Sequence, residues 1–175
     1  NLQGPANPWA AAVNGFRHLD EVVQWNRLLH EATYAELRSG RMPIMLGGDH
    51  CLAIGSISAV ARHCRDTGKK LRILWLDAHA DFNTNTLTPS GNIHGMLLAC
   101  LTGHGHADLT GFAGRVPAIN PAYVALVGVR DLDPGERQAL RDSGVRCFTM
   151  QDIDRRGFSA VMEDAVRIAS QAVDG

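Results

Sequence analysis

The feature that most constrains this chain is a buried strand leading directly into three potential metal ligands. Residues 71–76, LRILWL, are almost all apolar, as in strands inside parallel sheets. Asp77, His79 and Asp81 follow at every second position. If the extended backbone continues, their side chains share one face. Crowded carboxylates in a partly buried site repel each other unless a cation lies between them. The pattern therefore predicts a metal site at the end of a strand.

A second polar group follows another short apolar run. Residues 43–50, PIMLGGDH, predict a strand whose last part, GGDH, supplies Asp49 and His50. Glycines allow the sharp turn that such a strand end needs. Two strand ends meeting at one site favour a binuclear centre, and mixed carboxylate and imidazole ligands suit manganese better than structural zinc. Asp49 is either a ligand or an acceptor that orients a ligand imidazole. We favour the second role.

The rest of the chain alternates helical and strand patterns. Helices are predicted over residues 16–39, 51–64, 96–102, 133–144 and 158–173, and strands over residues 43–50, 71–77, 122–129 and 145–150. The helix at 133–144 has Asp133 as N-cap, Pro134 at the first position and Glu136 at the capping-box position. This alternation predicts an α/β layered fold with a mostly parallel sheet, whose ligand site lies beyond the carboxyl ends of the strands.

Composition narrows the class of protein. The 175 residues fit one domain, and the net charge of -1 gives no electrostatic reason to expect nucleic acid or an anionic membrane as partner. No apolar run approaches the roughly 18 residues of a membrane span. The four cysteines are scattered, which favours free thiols and a cytoplasmic location. The first residue is not Met, and we expect residues 1–175 to be a single catalytic domain truncated at both ends.

Four motifs in series carry a family resemblance. GGDH, DAHADFN, SGNIHG and VGVRDLDPGE match in order and spacing the arginases of the ureohydrolase family, and the resemblance spans residues 47–163. It implies a three-layer α/β/α fold with a parallel sheet, incomplete in this chain. It also implies hydrolysis of L-arginine to L-ornithine and urea, by attack of a hydroxide that bridges two manganese ions. Family members form homo-oligomers, so a trimer or hexamer is expected on the resemblance alone.

The resemblance assigns metal and catalytic roles residue by residue. It makes His50 a ligand of one metal and His79 a ligand of the other, with Asp77 bridging both. Asp81 would bind the first metal and accept a hydrogen bond from the bridging hydroxide. His94 would transfer a proton near the substrate. A histidine titrates in the range that this step needs.

The substrate contacts are assigned in the same way. Asn83, Ser90 and Asn92 would hold the α-carboxylate of arginine. Asp133 and Glu136 would meet its α-amino group, directly or through water. A solvated loop is the favoured interpretation for His104 and His106 in GHGHAD, to which the family gives no role.

The chain departs from the family pattern at two points. Cys51 stands where the family has serine, and we expect little effect. The later S-x-D-x-D motif, which supplies two further ligands, does not occur among these residues. With four of six ligands, the 175-residue chain is expected to bind manganese weakly and to hydrolyse little arginine.

Three alternative functions remain open. Agmatinase-like enzymes act on guanidino compounds without an α-carboxylate, and they should not need the carboxylate-binding set. A metallophosphoesterase would want a GNH group, which SGNIHG only mimics with one residue intervening. The third alternative is an inactive, metal-poor fragment.

Overall fold

A computed structural model describes residues 10–170 of the chain. Its helices are α1 (Leu19–Arg38), α2 (Ala53–Asp66), α3 (Leu97–Leu101), α4 (Ala107–Thr110), α5 (Pro134–Ser143), α6 (Met150–Arg156) and α7 (Phe158–Ser170). Single turns of 3-10 helix lie at His50–Leu52, Ile93–Gly95 and Pro121–Tyr123. The strands are β1 (Ile73–Leu76), β2 (Val124–Val129) and β3 (Arg146–Thr149). No helix within the described range is long and apolar enough to cross a membrane.

The three strands form one parallel sheet in the order β1-β2-β3. Alternate residues of β2 point to opposite faces of a sheet, and they belong to two separate cores. Val124 and Leu126 lie in the larger core, with residues of α2 and α3. Ala125 and Val127 lie in the smaller core, against α7. Helices therefore cover both faces, which confirms the predicted three-layer α/β/α class.

Most of the predicted elements are confirmed, with small shifts at their ends. The helix predicted from the capping signals runs Pro134–Ser143 and stops at Gly144, whose φ of 84° is left-handed. Helix α6 was not predicted, although Thr149 and Asp152 form a capping box at its start. Helix α7 is described to Ser170, and the last three residues of the predicted helix 158–173 lie outside the described range.

The strand predicted over residues 43–50 is wrong. Residues 41–47 carry no regular structure, and the side chains of Ile44 and Leu46 are 79% and 89% exposed. A strand needs a neighbour that accepts its backbone hydrogen bonds, and this segment has none within residues 10–170. The apolar pattern favours a strand, but a local pattern does not show whether a pairing partner is within reach.

The position of α2 is fixed by a close backbone approach to α1. The backbone N–H of Gly55 donates to Asn26 Oδ1 at 2.6 Å. A Cβ at Gly55 would lie 2.3 Å from the carbonyl oxygen of Asn26, so a glycine is required there for steric reasons. Because the 3-10 turn that carries His50 runs directly into α2, this helix contact also positions the first candidate metal ligand.

A buried histidine in α1 makes stability depend on pH. His30 packs between the rings of Tyr34 and Phe112, and burial lowers its pKa. The unfolded chain therefore takes up a proton at a higher pH than the folded chain. The contribution of His30 to stability is constant above about pH 6.5 and is lost as the pH falls towards the lowered pKa, at no more than about 1.4 kcal/mol per pH unit.

We expect the variant His30→Leu to remove the loss of stability at low pH that His30 causes. Urea unfolding of both proteins at pH 7.5 and pH 5.5 measures it. The free energy of unfolding should fall less for the variant between these two values. An equal fall in both proteins would show that His30 does not titrate in this window.

Candidate metal centre

The sheet brings the residues after β1 and β2 together at its carboxyl edge. The backbone N–H of Asp77 donates to Val127 O at 3.0 Å, and the N–H of Arg130 donates to Ala78 O at 2.8 Å. A Cβ at Gly128 would lie 3.2 Å from the carbonyl oxygen of Asp77, so the backbone approaches closely at this point. The segment that begins at Asp77 is therefore held against the end of the central strand.

A compact group of His50, Asp77 and Asp81 lies at this edge. One potential ligand atom from each residue lies within 4.8 Å of the other two. His50 Nδ1 is 3.0 Å from Asp81 Oδ2 and 3.5 Å from Asp77 Oδ2. Two carboxylates and an imidazole that converge in this way form a donor set of the kind that divalent ions bind. The three residues could hold a metal ion.

Asp81 fits a metal ligand for a further reason. Its side chain is buried, its φ of 51° is left-handed, and its carbonyl oxygen accepts the backbone N–H groups of Leu98 and Ala99. The backbone is thus fixed in an unusual conformation. Among the described residues no donor is aligned with the buried Oδ2 for a hydrogen bond, despite the nearby imidazole. Burial of a carboxylate oxygen without an aligned hydrogen-bond donor is unfavourable, and a cation bound there would compensate for the missing donor.

Asp77 lies between two imidazoles. Its Oδ2 faces His50, while its Oδ1 lies 3.4 Å from His79 Nδ1 and accepts the backbone N–H of His79 at 2.9 Å. His79 itself is exposed and does not join the compact group. Strand β1 ends at Leu76, so the strict two-residue alternation expected beyond it does not continue. The chain turns at Asp81 instead.

The electrostatics of the group favour a positive charge. The pKa of His50 is raised, first by its contact with the Asp81 carboxylate and further by the charges of Asp77 and Asp49. Burial opposes this shift and is outweighed. The same negative field that retains a proton on His50 attracts a metal cation.

A small cleft opens beside the metal group, with a volume of about 190 Å³. It is lined by all five side chains that the resemblance assigns to substrate, together with three of the metal and catalytic set: Asn83, Ser90, Asn92, Asp133 and Glu136, with His79, Asp81 and His94. The structure therefore brings the predicted residues into one place, apart from His50 and Asp77, which adjoin it through Asp81.

Hydrogen bonds order the far wall of the cleft. Asn83 Nδ2 donates to Asp133 Oδ2 at 2.9 Å, and Glu136 accepts the backbone N–H groups of Phe82 and Asp133. An amide carries two N–H donors, so Asn83 keeps one for another partner. Burial raises the pKa of Glu136. The N-terminus of α5 is thereby joined to the segment that follows the metal ligands.

His94 pairs with Asp49 at the opposite side of the cleft. Its Nδ1 lies 3.2 Å from Asp49 Oδ2, and Asp49 Oδ1 accepts the backbone N–H of Cys51. Although burial acts to raise the pKa of Asp49, hydrogen bonds from Cys51 and His94 lower it overall. Asp49 thus orients the imidazole of His94. The sequence interpretation that we favoured had Asp49 orienting an imidazole that binds the metal.

Sequence reasoning missed one acidic residue of the cleft. Asp131 lines it, and its Oδ2 lies 3.8 Å from His79 Nε2. A signal was present, because Asp131 follows the buried strand β2 as Asp77 follows β1. In a parallel sheet the residues after adjacent strands lie side by side.

Comparison with known proteins identifies the family. Residues 10–174 match the sequence profile of the Arginase family. The arginase of Brevibacillus brevis is 43% identical over 159 residues, covering 91% of this chain and 52% of that protein. The arginase of Staphylococcus aureus strain MRSA252 is 42% identical over 163 residues, covering 93% of this chain and 52% of its own length.

Solved structures agree with this result. The native arginase of Bacillus caldovelox superposes with a TM-score of 0.90 at 39% identity, covering 99% of this chain and 57% of that one. An Entamoeba histolytica arginase in complex with L-ornithine gives a TM-score of 0.87 at 34% identity, covering 98% and 57%. The chain belongs to the arginase family, as its motifs indicated. It spans about half the length of the curated relatives it matches.

Proposed function

We propose that the site of this protein hydrolyses L-arginine to L-ornithine and urea. The observation that carries the proposal is the junction of two features. The first is a group that could hold a metal ion, formed by His50, Asp77 and Asp81. The second is the adjoining cleft, whose lining offers hydrogen-bond donors for an α-carboxylate and acceptors for an α-ammonium group. The similar proteins are named arginases, and one was solved with L-ornithine.

Two manganese ions are the proposed cofactors. His50, Asp77, His79 and Asp81 would hold them, and the buried Asp81 Oδ2, which has no aligned hydrogen-bond donor within residues 10–170, supports this assignment. When bound, a pair of divalent ions lowers the pKa of water, which supplies a strong nucleophile near neutral pH. A guanidinium carbon is a poor electrophile, so the reaction needs such a nucleophile. Asp81 would orient it by accepting a hydrogen bond.

His94 is the proposed proton carrier. Its Nδ1 contacts the Asp49 carboxylate, which leaves Nε2 as the atom that can hold and deliver a proton. The carboxylate fixes the orientation of the ring. Delivery of that proton to the departing amine would complete the cleavage.

The cleft is suited to a cationic amino acid. Asn83, Ser90 and Asn92 offer amide and hydroxyl donors to an α-carboxylate. Asp133 and Glu136 offer acceptors to an α-ammonium group on the wall formed by α5. An agmatine molecule has no α-carboxylate and would leave the first set of donors without a ligand partner, so it should bind less well.

The variant Asn92→Ala tests this arrangement. We expect KM for L-arginine to rise about tenfold, because one hydrogen bond to a charged group is lost. The inhibition constant of agmatine against L-arginine should stay unchanged, so agmatine serves as the internal control. Steady-state kinetics with L-arginine, with and without agmatine, measure both constants. Equal changes for both would place Asn92 away from the α-carboxylate.

Urea release from L-arginine and from agmatine, side by side after incubation with manganese, tests the proposed reaction. The assay uses the protein in its natural length, because the motif expected to supply two more ligands is not among these 175 residues. We expect urea from arginine alone. Urea from agmatine alone would establish the agmatinase alternative. Hydrolysis of p-nitrophenyl phosphate without urea would favour a phosphoesterase, and no turnover would favour a metal-poor fragment.

We also propose a cytoplasmic homo-oligomer, a trimer or hexamer, on the family resemblance. The four free cysteines suit a reducing compartment. Light scattering during size-exclusion chromatography would measure the oligomeric state, and a monomer would contradict it.

A further inference from the structure

A second polar cavity lies at the opposite edge of the sheet from the candidate metal centre. Its volume is about 350 Å³, and its charged lining consists of Arg72, Arg146, Arg156, Arg167 and Asp164. Arg72 directly precedes β1, and Arg146 is the first residue of β3. The cavity is thus at the amino ends of the strands. Four guanidinium groups and one carboxylate leave three positive charges in excess.

Two of these guanidinium groups are fixed by one carboxylate. Arg156 Nη2 donates to one oxygen of Asp164, and Arg167 Nη2 donates to the other. These hydrogen bonds, first from Arg156 and then from Arg167, lower the pKa of Asp164, which therefore stays charged. A guanidinium has five N–H donors. Each arginine uses one nitrogen here and keeps further donors for a ligand.

The other two arginines differ in how they are held. Arg72 Nη1 donates to Ile168 O at 3.0 Å, and the guanidinium lies 4.4 Å from the centre of the Tyr123 ring. Hydrogen bonding and stacking fix its plane. The side chain of Arg146 is exposed, and no hydrogen bond or ion pair joins this side chain to another residue of the described range. The cavity thus combines three ordered guanidinium groups with one that is free to close on a ligand.

We propose that this cavity, which the proposed arginine site does not use, binds a small molecule that carries a phosphate group. Guanidinium groups recognise phosphate oxygens through paired N–H donors. An excess of three positive charges matches a phosphate dianion better than a single carboxylate. The volume is in the range of small-molecule sites, roughly 300–1,000 Å³, so the group can be the end of a larger molecule.

Calorimetric titration of the 175-residue chain tests the proposal. The probes are inorganic phosphate, glucose 6-phosphate and succinate, each at one constant ionic strength because charge contacts weaken in salt. We expect saturable binding of a phosphate probe at one site per chain. The affinity for the phosphate probe should fall about tenfold in the variant Arg146→Ala, because one charge-assisted contact is lost. Within residues 10–170 the Arg146 side chain makes no hydrogen bond or ion pair, so this variant should keep its fold.

The matched control is Arg27→Ala, which removes the same charge from an exposed position on α1. Its affinity for phosphate should be unchanged. Tighter binding of glucose 6-phosphate than of inorganic phosphate would identify a phosphate ester, and the reverse would identify the free ion. Three results would overturn the proposal: no saturable binding, the same loss in both variants, or succinate binding as tightly as phosphate. None of them bears on urea release.

Discussion

Replacement of Asp81 by asparagine is expected to weaken manganese binding at least about 100-fold. The carboxylate is buried, faces His50 at 3.0 Å and has no hydrogen-bond donor aligned with its Oδ2 within residues 10–170. Residues that only support a metal ligand already contribute 10–100-fold to affinity, so a direct ligand should contribute at least as much. Titration of manganese into the protein of natural length, followed by electron paramagnetic resonance of the free ion, measures the loss.

The same substitution separates a metal ligand from a structural carboxylate. Without metal, Asp81→Asn should not lower the free energy of unfolding by more than about 1 kcal/mol, because it removes a buried charge while keeping the shape. The control is Asp154→Asn, an exposed aspartate of α6, which should leave both properties unchanged. Unaltered manganese affinity in Asp81→Asn, or a large loss of stability without metal, would contradict the proposed role.

The substitution Gly55→Ala, which adds one methyl group, is expected to lower the free energy of unfolding by about 3 kcal/mol. This value is near the upper end of overpacking effects. The new Cβ would lie 2.3 Å from the carbonyl oxygen of Asn26, a backbone atom that cannot move without displacing α1. Intrinsic helix propensity alone predicts the opposite sign, a gain of roughly 0.5–1 kcal/mol for alanine. Urea unfolding followed by circular dichroism measures the difference.

The control for Gly55→Ala is Ser56→Ala, one position further along α2. Ser56 is partly exposed, and alanine is the better helix former there, so stability should be unchanged or slightly higher. Weaker manganese binding should accompany the loss in Gly55→Ala, because α2 positions His50. A neutral or stabilising effect of Gly55→Ala would show that the two helices are not so close.

The sequence predicted the parts of the fold that depend on local pattern. The continuous apolar run before Asp77 identified β1, and the N-cap and capping-box residues located α5 within one residue. The segment before GGDH is also an apolar run, but the strand that this run predicts is absent within residues 10–170. Its pairing depends on a partner distant in the chain, which a local pattern does not reveal.

The candidate site could be predicted as a set of residues but not as a geometry. The motifs named the residues that line the cleft beside Asp81. They did not reveal that Asp49 contacts His94, or that Asp131 faces His79. Both contacts join segments far apart in sequence, and the turn at Asp81, with its left-handed φ, decides which side chains meet. The arginines of the second cavity also come from segments far apart in sequence, so no local motif reveals that they lie together.

Anomalous diffraction at the manganese absorption edge tests the central claim most directly. Crystals of the protein of natural length, grown with excess manganese, should show an anomalous peak bounded by His50 Nδ1 and the carboxylates of Asp77 and Asp81. A second peak is expected on the side of Asp77 that faces His79. Absence of both peaks at this edge of the sheet, or a peak only at the loop histidines His104 and His106, would contradict the account.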